Sequence, residues 1–182
     1  MDHSPLIVKD FFLYPGDYCF GSNNFRIRTL LGSCVALILL HPEKKLGGMS
    51  HIMLPERKKY HSSVNDRPGK YADDSFKLFE ASAKTFKTDL SEYKAKLFGG
   101  ANMFTNFKTK EYQALSDDEK NVYSELDDRI QIGKKNIEFI KQMLAFFNIP
   151  ILSEDLGGIK HRKVYLTVWD GEVWMEKPIE DS

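Results

Sequence analysis

Phe25-Arg26-Ile27-Arg28-Thr29-Leu30-Leu31-Gly32-Ser33-Cys34-Val35-Ala36-Leu37-Ile38-Leu39-Leu40 holds two strand signals of different kinds. In the first half apolar and polar residues alternate. Phe25, Ile27 and Thr29 point one way, Arg26 and Arg28 the other. Gly32-Ser33 interrupts the pattern. From Cys34 to Leu40 the chain is continuously apolar, as a strand buried on both faces would be. His41-Pro42-Glu43 ends it. A third apolar stretch, Leu46 to Leu54, opens on Gly47-Gly48 and stops at Pro55.

Outward from these strands the period changes. Residues 56–70 are basic and polar, with a turn signal at Pro68-Gly69. Ala72, Phe76, Phe79, Ala83 and Phe86 then recur at helical spacing and predict an amphipathic helix. Lys94 to Gly99 reads as a short strand. Residues 105–131 read as a surface insertion, with four basic and seven acidic residues between Lys108 and Arg129. Ile137, Ile140, Leu144 and Phe147 predict a second amphipathic helix, stopped by Pro150. Lys163 to Trp169 and Glu172 to Met175 flank Asp170-Gly171, a hairpin signal. Helices are few and separated by strands. The expected class is α+β with mixed sheets, in a single domain over residues 1–182.

The chain of 182 residues and 21.0 kDa is long enough to bury its own core. Its 42% apolar and 13% aromatic content excludes a disordered chain. Lys+Arg and Asp+Glu are both 26, and this balance argues against non-specific nucleic-acid binding. Two cysteines, Cys19 and Cys34, are too few for a disulfide framework. No apolar run exceeds seven residues, and the first residues carry no basic and apolar leader pattern. A soluble cytoplasmic protein without membrane insertion is expected.

Cys34 follows a Gly-Ser break and opens a buried strand, so the strand could hold its sulfur rigidly at a cleft. A free thiol has a pKa of about 8.5 and is mostly protonated at neutral pH. A catalytic cysteine therefore needs a base. His51, 17 residues further on and within the next apolar stretch, is the candidate if the two strands pair as a hairpin. The plainer alternative is a buried cysteine acting as a small hydrophobe beside a hydrogen-bonded histidine. Cys19 has no histidine near it in sequence and reads as structural. Gly99-Gly100-Ala101-Asn102 follows a strand and reads as a tight turn or a cleft wall. It lacks the Gly-Lys-Ser/Thr of a phosphate loop. Lys58-Lys59 reads as solvated loop. The five histidines form no ligand-spaced set, so no metal is expected.

Thr29-Leu30-Leu31-Gly32-Ser33-Cys34-Val35-Ala36, followed by Gly47-Gly48-Met49-Ser50-His51-Ile52-Met53-Leu54-Pro55, closely resembles the CheD family of chemoreceptor glutamine deamidases. The resemblance continues through Tyr71-Ala72-Asp73, Lys96-Leu97-Phe98-Gly99-Gly100-Ala101-Asn102-Met103-Phe104, Ile132-Gly133-Lys134-Lys135-Asn136 and Ile149-Pro150-Ile151-Leu152-Ser153-Glu154-Asp155-Leu156-Gly157-Gly158. Two departures stand out. His161 precedes Arg162 where the family usually has glycine, and the 105–131 stretch is longer than the family's.

The resemblance implies mixed sheets packed as a sandwich with flanking helices, as in the toxin-deamidase cysteine hydrolases. It implies conversion of selected glutamines on methyl-accepting chemotaxis receptors to glutamate, with release of ammonia. Carried onto this chain, Cys34 is the nucleophile and His51 the base, and Thr29 best matches the third, polar member. Ser33, Gly100, Ala101 and Asn102 are the implied substrate-binding residues. No cofactor is implied, and the free protein is expected to be monomeric. A CheC-type phosphatase is a further implied partner, so a mainly regulatory binding module is the competing class. A protease or acyl-transfer enzyme using the same pair is a third reading.

Overall fold

The computed structural model describes residues 5–60, 62–103 and 131–178. The expected 105–131 insertion lies outside them except for Gln131. Nine strands and two helices are present among the described residues: β1 Lys9–Leu13, β2 Tyr18–Ser22, β3 Phe25–Leu31, β4 Val35–Leu40, β5 Leu46–Ile52, α1 Ala72–Thr85, β6 Lys94–Gly99, α2 Ile132–Phe146, β7 Ile151–Leu156, β8 Arg162–Thr167 and β9 Glu172–Glu176. Short 3-10 turns lie at Arg57–Lys59 and Leu90–Glu92.

The strands form two mixed sheets, as the alternation of strands and few helices implies. One has four strands in the order β1-β3-β8-β9, the other five in the order β2-β5-β4-β6-β7. The pairs β1–β3 and β6–β7 are parallel and the rest antiparallel.

The sheets pack face to face over Ile27, Leu31, Ala36, Ile38, Met49, Val164 and Leu166. The other face of the five-stranded sheet packs through Val35, Leu37 and Leu39 on α1 (Phe76, Phe79) and α2 (Ile140, Leu144). β4 is thus sandwiched between a sheet and a helical layer, which accounts for its unbroken apolar run. β3 keeps one wet face, so Arg26, Arg28 and Leu30 are exposed while Ile27, Thr29 and Leu31 are buried.

Three strands, β1, β2 and β7, lie outside the elements expected from periodicity. β7 has the burial pattern ieeeii and therefore no two-residue alternation to read. α2 starts five residues before the first periodic position, Ile137, because Gly133 lets its first turn rest on Gly100: a Cβ there would lie 2.6 Å from the Gly100 carbonyl oxygen. The β8–β9 connection is longer than the two-residue hairpin Asp170-Gly171 suggested. Residues 168–171 all lie in it, and only Gly171 takes positive φ. No helix among the described residues is long and apolar enough to cross a membrane.

Candidate active site

The β4–β5 hairpin forms in the register that matters. Ala36 pairs with His51 and Val35 with Ile52. Cys34, two residues before Ala36, packs with it on the side facing the other sheet. That makes Cys34 the diagonal cross-strand neighbour of His51, with backbones about 7–8 Å apart and side chains closer.

From the opposing sheet, Thr29 on β3 closes the group. Its Oγ1 lies 2.7 Å from His51 Nδ1 and 2.8 Å from the Leu13 carbonyl oxygen. Thr29 and His51 are 2% and 1% exposed, so no water competes for these bonds. A hydroxyl has one proton to give. The Leu13 carbonyl can only accept, so Thr29 donates to it and accepts from the His51 Nδ1–H. This fixes the imidazole tautomer and leaves the Nε2 lone pair free to act as a base.

The backbone of His51 is also clamped. Its N–H donates to the Asp17 carbonyl and its carbonyl accepts from the Gly16 N–H, both at 2.9 Å. Burial pushes the imidazole pKa down to about 4, against smaller upward pulls from the Leu13 carbonyl and the Asp17 charge. Burial likewise pushes the Cys34 thiol up to about 11. The resting pair is therefore a neutral thiol beside a neutral imidazole.

Gly99-Gly100-Ala101-Asn102 lies directly along the Gly32-Ser33-Cys34 turn. The Gly100 N–H donates to the Cys34 carbonyl at 2.8 Å and the Ala101 N–H to the Gly32 carbonyl at 3.0 Å. The Asn102 N–H donates to the Gly158 carbonyl at 2.7 Å. These three amides are therefore spent on holding backbone. Gly100 and Ala101 are buried, whereas Ser33 and Asn102 are half-buried at the turn. Asn136, fully buried on α2, donates from Nδ2 to the Met53 carbonyl at 2.9 Å and ties the helix to the chain just past His51.

Cys19 has a place that sequence separation hid. It pairs with Met49 on β2, so it is also a diagonal neighbour of His51, from the other side. Burial raises its thiol to about 11 as well, so thiol acidity does not separate the two cysteines. Position does. Cys34 lies beyond the end of its ladder, on a glycine turn. Cys19 lies within β2, with its carbonyl oxygen only 2.3 Å from where a Cβ at Gly48 would sit. Sequence reading also missed the Leu13 carbonyl and the Gly16-Asp17 clamp, because nothing in the periodicity marked β1. Met103 and His161 are the side chains nearest Gly32, with Cγ and Cε1 at 3.3 and 3.6 Å from an ideal Cβ there. No group of three or more metal-ligating side chains occurs among the described residues.

These features define an α+β sandwich with a buried threonine–histidine pair beside a cysteine at a sheet end. The family model described as CheD chemotactic sensory transduction matches residues 53–177. A Leptospira interrogans protein named "Probable chemoreceptor glutamine deamidase CheD 1" is 44% identical over 96% of this chain and 96% of its own length. A Dechloromonas aromatica protein of that description, CheD 3, is 38% identical over 98% of this chain and 93% of its own. A Pseudomonas syringae pv. syringae relative is 33% identical over 98% and 90%. The chain belongs to the CheD family.

Proposed function

We propose that this protein is a cytoplasmic protein-glutamine deamidase of chemoreceptors, with Cys34 as nucleophile, His51 as general base and acid, and Thr29 as the residue that orients His51. The observation that carries the reading is the Leu13–Thr29–His51 chain of hydrogen bonds, which leaves Nε2 as the basic nitrogen. The relatives' names supply the substrate class.

The steps follow from a neutral pair. His51 Nε2 takes the Cys34 thiol proton as sulfur bonds to the side-chain carbonyl carbon of a glutamine. The imidazolium gives that proton to the amide nitrogen as the C–N bond breaks, and ammonia leaves. A water attacks the thioester while His51 takes one of its protons. The C–S bond then breaks, the thiol regains a proton, and a glutamate remains. A positioned base of this kind contributes about 10²–10⁴ in rate. The Cys34 N–H is the candidate oxyanion donor.

A buried imidazole of fixed tautomer favours catalysis over a purely adaptor role toward a CheC-type phosphatase, since surface docking requires no such group. The test is incubation with the cytoplasmic fragment of a chemoreceptor and mapping of Gln-to-Glu conversion by mass spectrometry. Conversion at defined glutamines is expected. An unchanged fragment contradicts the reading, and a cleaved one indicates a protease.

A further inference from the structure

The candidate site draws on both sheets. His51 lies on β5 of the five-stranded sheet and Cys34 leads into β4 of the same sheet, whereas Thr29 lies on β3 of the four-stranded one. The bond between Thr29 and His51 therefore depends on how the sheets are set against each other at this end. Apolar packing is non-directional, so a directed polar tie is the means of fixing that setting.

Arg162 makes such a tie. It opens β8 in the four-stranded sheet, opposite Leu31, the residue before the Gly32 turn. Its guanidinium reaches Asp155 on β7 of the five-stranded sheet, with Nε and Nη2 at 2.8 and 2.7 Å from Oδ1. Nη2 also donates to the Gly157 carbonyl at 2.8 Å, and Nη1 to the Lys160 carbonyl at 3.2 Å. The residue is 3% exposed, and a charge so buried needs all of these partners.

The loop that Arg162 holds, residues 157–161, braces the nucleophile turn. The Gly157 N–H donates to the Gly99 carbonyl at 2.9 Å, and the Gly158 carbonyl accepts from the Asn102 N–H at 2.7 Å. From there the Gly100 and Ala101 amides reach the Cys34 and Gly32 carbonyls. Packing does not hold this loop. Gly157 and Gly158 have φ +72 and +68. A Cβ on Gly157 would meet nothing within 4 Å, and one on Gly158 would meet only Arg162, at 3.9 Å. Two glycines in succession make a loose backbone, so hydrogen bonds must fix it. A guanidinium offers five donors in a planar fork, enough for one carboxylate and two carbonyls at once. A lysine ammonium is a compact point charge without that fork.

We infer that Arg162 is a positioning residue for the nucleophile: by clasping β7 to the start of β8 and pinning the loop between them, it sets Cys34 against the Thr29–His51 pair. The inference rests on the deamidase reading above. Its effect passes through backbone, so it belongs to kcat and not to KM.

The test is the kinetics of ammonia release from a purified cytoplasmic chemoreceptor fragment, with circular dichroism confirming that each variant is folded at the assay temperature. Arg162→Lys keeps the charge beside Asp155 but loses the fork. It should lower kcat about 10–100-fold, as a misplacement of about 1 Å does, with KM moved by less than about twofold. Arg162→Gln should do the same, and it reads the effect if the lysine variant does not fold. Asp155 then keeps Lys177 Nζ at 2.7 Å, so its charge is not orphaned. Lys177→Ala removes that second, exposed tie, which reaches none of the loop carbonyls, and should leave kcat within about twofold. A wild-type kcat in a folded Arg162→Lys or Arg162→Gln protein overturns the inference, since the fork would then position nothing. So does a KM raised more than kcat is lowered, which would make Arg162 part of substrate binding. So does an equal fall in Lys177→Ala, which would make the charge on Asp155 the cause. A wild type that releases no ammonia sinks the parent reading instead, an outcome visible before any variant is compared.

Discussion

Thr29 has one hydroxyl proton, and the Leu13 carbonyl claims it. Everything asked of His51 depends on that allocation. Thr29→Ala removes the acceptor on Nδ1–H and lets the imidazole rotate or change tautomer. We expect kcat to fall about 10–100-fold, a part of the about 10²–10⁴ that a positioned base supplies. Thr29→Ser, which keeps the hydroxyl, should recover most of it. Loss of activity without rescue by serine would mean that the methyl group and its packing matter, not the bond. Burial of His51 also leaves a signature in stability. Its pKa is lowered from 6.5 to about 4 in the fold, so the unfolded chain binds the extra proton as pH falls. The stabilisation is present above about pH 6.5 and is lost as pH drops toward 4. Between pH 7.5 and 5 this one group should cost about 2 kcal/mol. Urea unfolding at the two pH values should show His51→Gln losing less stability on acidification than the wild type. Equal losses would mean that His51 is readily protonated in the native protein.

At the scale of elements, legibility followed burial. β4 and α1 were readable because each has a strong pattern imposed by the layers around it: two apolar faces for β4, one helical stripe for α1. β1 has only Leu13 fully buried, and β7 has no fully buried residue, so neither leaves a period to find. Those blind spots cost part of the site, since β1 supplies the Leu13 carbonyl. The Gly99-Gly100 break after β6 was visible as a turn, but not as a brace for the nucleophile. Gly99 has φ +110, and a Cβ on it would come within 2.2 Å of the Cys34 carbonyl oxygen. Gly157 has φ +72 with nothing within 4 Å of its Cβ position. Gly157→Ala should therefore cost only the positive-φ strain, about 1–2 kcal/mol. Gly99→Ala should cost more than that and reduce turnover as well, because it displaces the backbone at Cys34. Denaturant titration with a parallel ammonia assay checks both. Equal costs and unaltered turnover would mean that Gly99 does not position the turn.

For the whole molecule, the arrangement of layers explains where the site sits. The two sheets meet at the end of β3, where Gly32 turns the chain from one sheet into the other. Thr29 stands on the near side of that turn and Cys34 on the far side. The hairpin brings His51 back between them. The Gly-Ser-Cys turn and the His51 stretch could be picked out of the sequence. That the threonine would cross from the opposite sheet, and that β2 would bring Cys19 as near to His51 in register as Cys34, required the pairing of strands far apart in the chain. Two thiols of similar acidity flanking one imidazole make the choice of sulfur the central claim, and one comparison decides it: ammonia release from a chemoreceptor fragment by Cys34→Ser and by Cys19→Ser, with circular dichroism to confirm that both are folded. Serine is a far poorer nucleophile than a thiol activated by a base. Cys34→Ser should release no ammonia while Cys19→Ser keeps nearly the wild-type rate. A folded Cys34→Ser protein that still deamidates, or a folded Cys19→Ser protein that does not, would contradict the account.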